Sequence, residues 1–381
     1  MTGQDVSVRV DNLRIEGVVA LSVELIGDTT ADQFQLTLGN ESRQYTELFK
    51  TTDGKQVGIN IGGLVCFSGY VDEANFNYVP EATIELVGRD FSGLLIDETV
   101  SQALASAVEG VSASVAVTRI ARAFKLTPKV DRTTRVWNES GGYSAGTSVW
   151  AVVADLAEKE AFDAWVTPER ELVFKARVVP ATASLTLAVP PATGRWTPPG
   201  GAIVPESLKF TTAKTLALGL KVRCIGYDPR RKRDIVYTAE SALRNRSNYR
   251  VIELRDRSLV TKADVAARAQ NALKGLSKDL TMGSFTCEVV GALRPGQAVD
   301  VVMPKGKGER GNGQGEGERG NGKVGADPFE GRYILTKVRH ELAEGGRFST
   351  TGEFASRPLT QIRTEEVERE TEKGQKDNIT R

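Results

Sequence analysis

The stretch Leu335–Phe354 reads LTKVRHELAEGGRFSTTGEF and holds His340, the only histidine among 381 residues. Its HELAE begins like the helix of a zinc protease, in which His-Glu-x-x-His sets two imidazoles one helical turn apart on one metal. Here Glu344 stands where the second imidazole belongs, and no other histidine exists to complete a tetrahedral site. The spacing is that of a strand. Tyr333, Leu335, Lys337 and Arg339 alternate with Ile334, Thr336, Val338 and His340, the period of two that places successive side chains on opposite faces of a sheet. Glu344-Gly345-Gly346 then supplies a turn and Arg347–Phe354 returns. The stretch reads as a β-hairpin, with His340 a structural residue just before its turn.

The same strand grammar fills the first 90 residues. VSVRV, the Asp11-Asn12 turn, RIEGVVALSVELI, DQFQLTLGN, KQVGINIGG, LVCFSGYVDEANFNY and ATIELVGRD follow one another, with Phe34, Leu36 and Leu38 alternating with polar residues. This predicts a small antiparallel barrel or sandwich with hairpin turns at Gly62-Gly63 and Val79-Pro80-Glu81. From Phe91 the period becomes helical. In SVAVTRIARAFKL, residues Val117, Ile120, Ala121 and Phe124 share one face. A second helix, SVWAVVADLAEKEAF, precedes a hairpin, DAWVTPERELVF, whose tip is Thr167-Pro168-Glu169-Arg170. The Pro/Gly-rich segment Val189–Glu206 marks the main internal boundary.

Beyond it strands resume, with one clear helix in TKADVAARAQNALKGLS. Thr261 is its expected N-cap, Asp264 holds the capping-box position, and Val265, Ala269, Ala272 and Leu276 form its apolar stripe. Between Lys305 and Gly325 lies KGKGERGNGQGEGERGNGKVG, in which GERGNG occurs twice. It matches G-x-G-x-x-G at Gly315, Gly317 and Gly320. It also approaches a P-loop at Gly317, Gly322 and Lys323, but Val324 replaces the hydroxyl residue that would hold magnesium. No helix start follows to aim its N–H groups at a phosphate, so the segment reads as a flexible loop expanded by duplication.

Chemistry is thinly represented. Cys66, Cys224 and Cys287 sit far apart in apolar, strand-like surroundings, as buried reduced thiols do. No G-x-S-x-G elbow is present. A glycosidase-like carboxylate pair requires a separation of about 5–10 Å, which 49 scattered acids do not reveal. Lys+Arg 50 against Asp+Glu 49 gives a net charge of +1, the wrong balance for a nucleic-acid or membrane binder. No run approaches the roughly 18 apolar residues of a membrane span, and Asp5 and Arg9 interrupt any leader peptide, so the expectation is a soluble protein made in the cytoplasm. The one dense basic run, Asp228-Pro-Arg-Arg-Lys-Arg-Asp234, offers Arg230, Arg231, Lys232 and Arg233 as contacts to an acidic partner. The tail from Thr364 carries six acidic and four basic residues and almost no apolar ones. Its Glu365, Glu366 and Arg369 are further candidate contacts. The tail is expected to be disordered, or a short helix ordered by a partner.

The order of these elements resembles the baseplate hub proteins of contractile phage tails, the late control protein D family, related to the hub part of type VI secretion spike proteins. Three stretches carry the resemblance. VGRDFSGLLIDETV (Val87–Val100) is a strand ending in a Gly-Arg-Asp turn into a short helix. SVWAVVADLAEKEAFDAWVTPERELVF is a helix followed by a hairpin, departing from the family in having Glu169 and Arg170 where a Gly is usual. The third is the succession YRVIELRDRSLVTKADVAARAQNALKGL, ALRPGQAVDVVMP and FEGRYILTKVRHELAEGGRFSTTGEF.

The resemblance implies an α+β, β-rich fold with two similar antiparallel β-barrel domains and inserted helical and small α+β domains. On this reading residues 1–90 form the first barrel. Residues 91–205 form an inserted region that returns strands to it, 206–360 a second barrel with the helix at 261–276, and 361–381 a charged tail. The implied function is a homotrimer whose six barrels make a pseudo-sixfold ring joining the tail tube to the central spike. Its partners would be further copies of itself, the spike, tube or tube-initiator proteins, other baseplate proteins and the tape measure protein. It would need no cofactor, metal or catalytic residue, and would reside in the virion tail baseplate after assembly in the bacterial host cytoplasm. The rival classes are a tail-associated carbohydrate- or peptidoglycan-cleaving enzyme and a β-rich adhesion module.

Overall fold

The computed structural model describes residues 6–27, 29–137, 143–144, 146–176, 178, 180–191, 197–212, 220–241, 250–276, 281–288, 293–304, 327–343, 346–356 and 362–365. The first strand-rich stretch comprises β1 (Val6–Val10), β2 (Leu13–Ile15), β3 (Val18–Ile26), β4 (Gln33–Gly39), the short helix α1 (Thr46–Phe49), β5 (Gln56–Ile61), β6 (Leu64–Asn77) and β7 (Thr83–Asp90). Phe34, Leu36 and Leu38 of β4 are buried, as their alternation requires. The two tight turns have positive φ at both central residues. These are Asp11 and Asn12 at 50° and 78°, and Gly62 and Gly63 at 60° and 80°, the twist that matches adjoining antiparallel strands.

Next come α2 (Gly93–Asp97), α3 (Gln102–Val108), α4 (Ala113–Ala123), β8 (Thr127–Val130), α5 (Val149–Glu160), β9 (Phe162–Val166) and β10 (Glu171–Ala176). Helix α4 buries Val117, Ile120 and Ala121 on one side. In α5 the Ser148 hydroxyl accepts the Ala151 N–H, and Ala161 closes the helix in the left-handed conformation. Strands β8, β10 and β9 make a small sheet. The remaining strands are β11 (Leu185–Ala188), β12 (Ser207–Thr212), β13 (Leu220–Asp228), β14 (Arg233–Ser241), β15 (Arg250–Arg255), β16 (Thr281–Glu288), β17 (Ala298–Val302), β18 (Gly331–Leu342), β19 (Phe348–Ala355) and β20 (Ile362–Glu365). Helix α6 (Lys262–Leu276) lies between β15 and β16. Its cap is as expected, with the Asp264 N–H donating to the Thr261 hydroxyl at 3.2 Å.

The fold is α+β and β-rich, dominated by a 13-stranded sheet that runs β12-β16-β19-β18-β3-β4-β7-β6-β5-β1-β2, with β17 attached to β18 and β11 to β17. The LTKVRHELAEGGRFSTTGEF stretch is its seam. One edge of β18 pairs with β19 and the other is shared, by β17 along Gly331–Ile334 and by β3 along Lys337–Leu342. The two strand-rich stretches are therefore hydrogen-bonded to each other. At the changeover the Gly27 N–H donates to the Thr336 carbonyl at 2.7 Å. A Cβ at Gly27 would lie 2.9 Å from that oxygen and 2.6 Å from Pro295, so the approach admits only glycine.

Two hydrophobic cores result, and each draws on both sides of the Pro/Gly-rich boundary. One joins Phe34, Leu36, Ile59 and Phe67 with Leu187, Phe285, Val301, Leu335 and Phe354. The other joins Trp137, Val153, Leu156 and Phe174 with Val222, Cys224, Tyr237, Val265 and Leu273. Residues 220–276, assigned by sequence to the second barrel, leave the large sheet. Their strands form a separate sheet, β15-β13-β14-β20, covered by α6 and packed on the helical region. Strand β11, inside the 91–205 region, joins the large sheet by running parallel to β17 of the C-terminal half, not by pairing with a strand of residues 1–90. In the tail, residues 362–365 are extended and pair with β14 instead of forming a helix. The Gly-rich segment 305–325 lies outside the described residues.

Candidate interaction surface

The basic run occupies the tip of the β13–β14 hairpin. The Asp228 carboxylate accepts the N–H groups of Arg230 at 2.9 Å and Arg231 at 3.1 Å, and Lys232 takes a positive φ of 52°. With the acid spent on the turn's own backbone, Arg230, Arg231, Lys232 and Arg233 all project into solvent. The nearest ion pair, Arg231 to Asp228, is a loose 3.9 Å. Strand β15 runs parallel to β13, which brings Arg257 to the same end. Its guanidinium lies over the Tyr227 ring at 5.9 Å from the centroid. The structure thus adds a fifth cation to the four read from sequence. Arg257 was missed because its partner is a ring on another strand. Of the tail candidates, Glu365 lies opposite Thr238 on β14, on the same small sheet as the basic tip. Glu366 and Arg369 lie outside the described residues.

His340 stands fully buried at the seam, opposite Val23 on one side and Thr350 on the other. Its Nδ1 is 3.0 Å from the Thr350 hydroxyl, and among the described residues its Nε2 has no hydrogen-bond partner. Burial lowers its pKa to about 4, against a smaller upward pull from the Leu293 backbone. The ring is therefore neutral at pH 7. Burial likewise raises the thiols of Cys66 and Cys287 to about 12 and of Cys224 to about 11, which removes the thiolate a nucleophile needs.

Gly88, Arg89 and Asp90, read from the sequence as a turn, instead form the end of strand β7, paired with β4 and β6, and Arg89 there centres an ionic cluster. Arg89 forks between Asp72 at 2.7 Å and Asp97 at 2.8 Å, and these bonds raise its pKa and hold Asp97 below the usual carboxylate range. Asp90 is buried, which raises its pKa, while its carboxylate accepts bonds from the Ser92 N–H and hydroxyl. The cluster fixes the exit of β7 into α2. An open cleft of about 460 Å³ runs along Asp300, Glu330 and Arg332, but Arg332 is engaged there with Asp300 at 2.6 and 2.7 Å. Among the described residues no three of His, Cys, Asp and Glu converge as metal ligands.

Sequence reading also missed the contact between the inserted hairpin and the first sheet. Arg170 has φ 61°, the conformation a glycine takes without cost. Its guanidinium lies over the Phe91 ring at 4.4 Å and donates to the Tyr70 hydroxyl at 2.5 Å. An arginine thus takes the turn of a glycine and offsets the strain with a cation–π contact.

Over nearly its whole length the chain superposes on a tail protein from Neisseria meningitidis MC58, covering 94% of this chain and 98% of that one at a TM-score of 0.69 and 16% identity. It shares the fold of phage tail proteins. The 43 kDa tail protein of prophage MuSo2 from Shewanella oneidensis matches 93% of this chain over 98% of its own at a TM-score of 0.64 and 14% identity. The E. coli c3393 protein is described as a component of the type VI secretion system with structural similarity to the T4 tail proteins gp27 and gp5. It matches 93% of this chain over 77% of its own, with a TM-score of 0.51 and 10% identity. No family model matches the chain, and no curated protein matches it.

Proposed function

We propose that the chain is a structural baseplate hub of a contractile tail, a homotrimer forming a pseudo-sixfold ring between the sixfold tube and the threefold spike. The observation that carries this reading is the match along both chains to a tail protein, 94% of one and 98% of the other. The path of the large sheet supports it. Among the described residues that path ends in two unpaired edges, β12 and β2, with Leu13 of β2 53% exposed. Unlike edges on one molecule make head-to-tail contacts, and such contacts close into rings when the rotation fits. The hub acts by shape and edge pairing, not by catalysis. Its partners are two further copies, the spike, tube or tube-initiator proteins, neighbouring baseplate proteins and the tape measure protein, all within the virion tail.

Co-expression with the spike and tube proteins encoded beside it tests the proposal. The hub reading expects a complex with three copies of this chain per spike trimer. Cleavage of purified murein by this chain, abolished by a single Asp or Glu substitution, would instead establish an enzyme.

A further inference from the structure

Strand β6 outruns its neighbour. It pairs with β5 only as far as Tyr70, and from Glu73 to Asn77 its one partner among the described residues is β7. The two strands end in an apolar tip, with Tyr78 52% and Val79 86% exposed and Pro80 exposed beside them. A contiguous apolar patch of this kind marks a contact surface. The arm is also acidic. Between Lys55 and Arg89 the sequence holds no lysine or arginine, whereas Glu73 and Glu81 stand exposed. Arg43 brings one cation to the tip, its guanidinium 5.7 Å from the centroid of the Tyr78 ring, and Glu41 two residues earlier offsets its charge. The β13–β14 hairpin is the converse. Its Arg230–Arg233 run is exposed, the Asp228 carboxylate is engaged by the turn's own N–H groups, and Val236 behind the tip is 40% exposed. Each hairpin is exposed within one chain, so neither covers the other there. Two copies can match them, acid to base and apolar to apolar. Because the two surfaces differ, such a contact is head-to-tail.

We infer that the β6–β7 arm of one copy docks on the β13–β14 tip of the next, with its acids facing Arg230–Arg233 and Val79 set against Val236. This rests on the trimeric ring proposed above and names a contact between its subunits.

Cross-linking between full-length chains tests the contact, since the native cysteines are buried. Val79→Cys chains mixed with Lys232→Cys chains and treated with a short bismaleimide should give linked pairs about tenfold more than the same chains mixed with Glu109→Cys chains. Glu109 is likewise exposed but lies on the helical region. Charge reversal gives a second reading. In light scattering over a dilution series, Arg231→Glu should raise the concentration at which the trimer half dissociates about tenfold, and adding Glu81→Arg should bring it back within about threefold of the parent. Equal linking at the two sites, or no recovery in the combined variant, overturns the contact while leaving a trimeric parent standing. A parent that stays monomeric at every concentration and beside the spike overturns the ring and this contact together.

Discussion

The 13-stranded and four-stranded sheets spend similar sequences differently. In the large one β18 is bonded along both edges, and Leu335, Val338 and His340 are buried between strands from opposite ends of the chain. In the small one β14 is buried on the α6 side through Tyr237 and Ala239 but keeps a solvent face with Val236 and a cationic tip. Strand β18 of the first sheet is bonded along both edges, whereas among the described residues the edge of β14 in the second is unpaired from Arg233 to Tyr237. Substitutions of similar size should therefore have large effects at the seam and small ones at the tip.

The greatest effect is expected at Phe354. Its ring packs on Tyr333 at 4.9 Å and Phe210 at 5.5 Å and lies across Gly283, where a Cβ would come within 2.3 Å of it. Phe354→Ala should cost about 3–5 kcal/mol by equilibrium denaturation. A loss below about 1 kcal/mol would mean that the seam is not the core of the fold.

His340 supplies a pH test of the same seam. Its folded pKa of about 4 lies below the ordinary 6.5, so between these values the unfolded chain binds a proton that the folded chain refuses. The stabilisation is present above about pH 6.5 and is lost as pH falls toward 4. Its full size is on the order of 3 kcal/mol. His340→Gln should flatten this part of the stability profile relative to the parent, and an unchanged slope from pH 6.5 to 4 would contradict the buried neutral ring.

The Arg170 contact links the helical region to the large sheet, so it should respond at an intermediate level. Arg170→Ala keeps the left-handed strain and loses the Phe91 and Tyr70 contacts, for an expected loss of about 1–2 kcal/mol. Arg170→Gly relieves the strain and should recover about 1 kcal/mol of that loss. Equal losses in the two variants would refute the offset. At the tip, Arg231→Ala should change stability by less than about 0.5 kcal/mol, since its ion pair with Asp228 is exposed and long. It should weaken binding to an acidic partner instead. A marked drop in melting temperature would show that the tip is structural.

Much of the fold was legible because burial leaves a periodic trace. The hairpin at Leu335–Phe354, the N-cap at Thr261 and the turns at Asp11-Asn12 and Gly62-Gly63 all declare themselves in residues adjacent in sequence. The assembly of those elements was less visible. Nothing in KVRHEL states that it pairs with SVELI more than 300 residues earlier, because strand pairing is carried by backbone groups common to all residues. For the same reason LKVRCIGYD and DIVYTA read as barrel strands, although they form the small sheet under α6. The contact residues divide in the same way. The basic tip showed as a run of four cations, whereas Arg257, Arg170 and the Arg89 fork act through partners distant in sequence.

The trimeric ring is tested most directly by the mass and symmetry of the purified full chain, from light scattering combined with electron microscopy. A trimer gives three times the 41.2 kDa chain mass and a ring with three strong and three weaker maxima. A monomer or dimer that persists at high concentration and in the presence of the spike would contradict it.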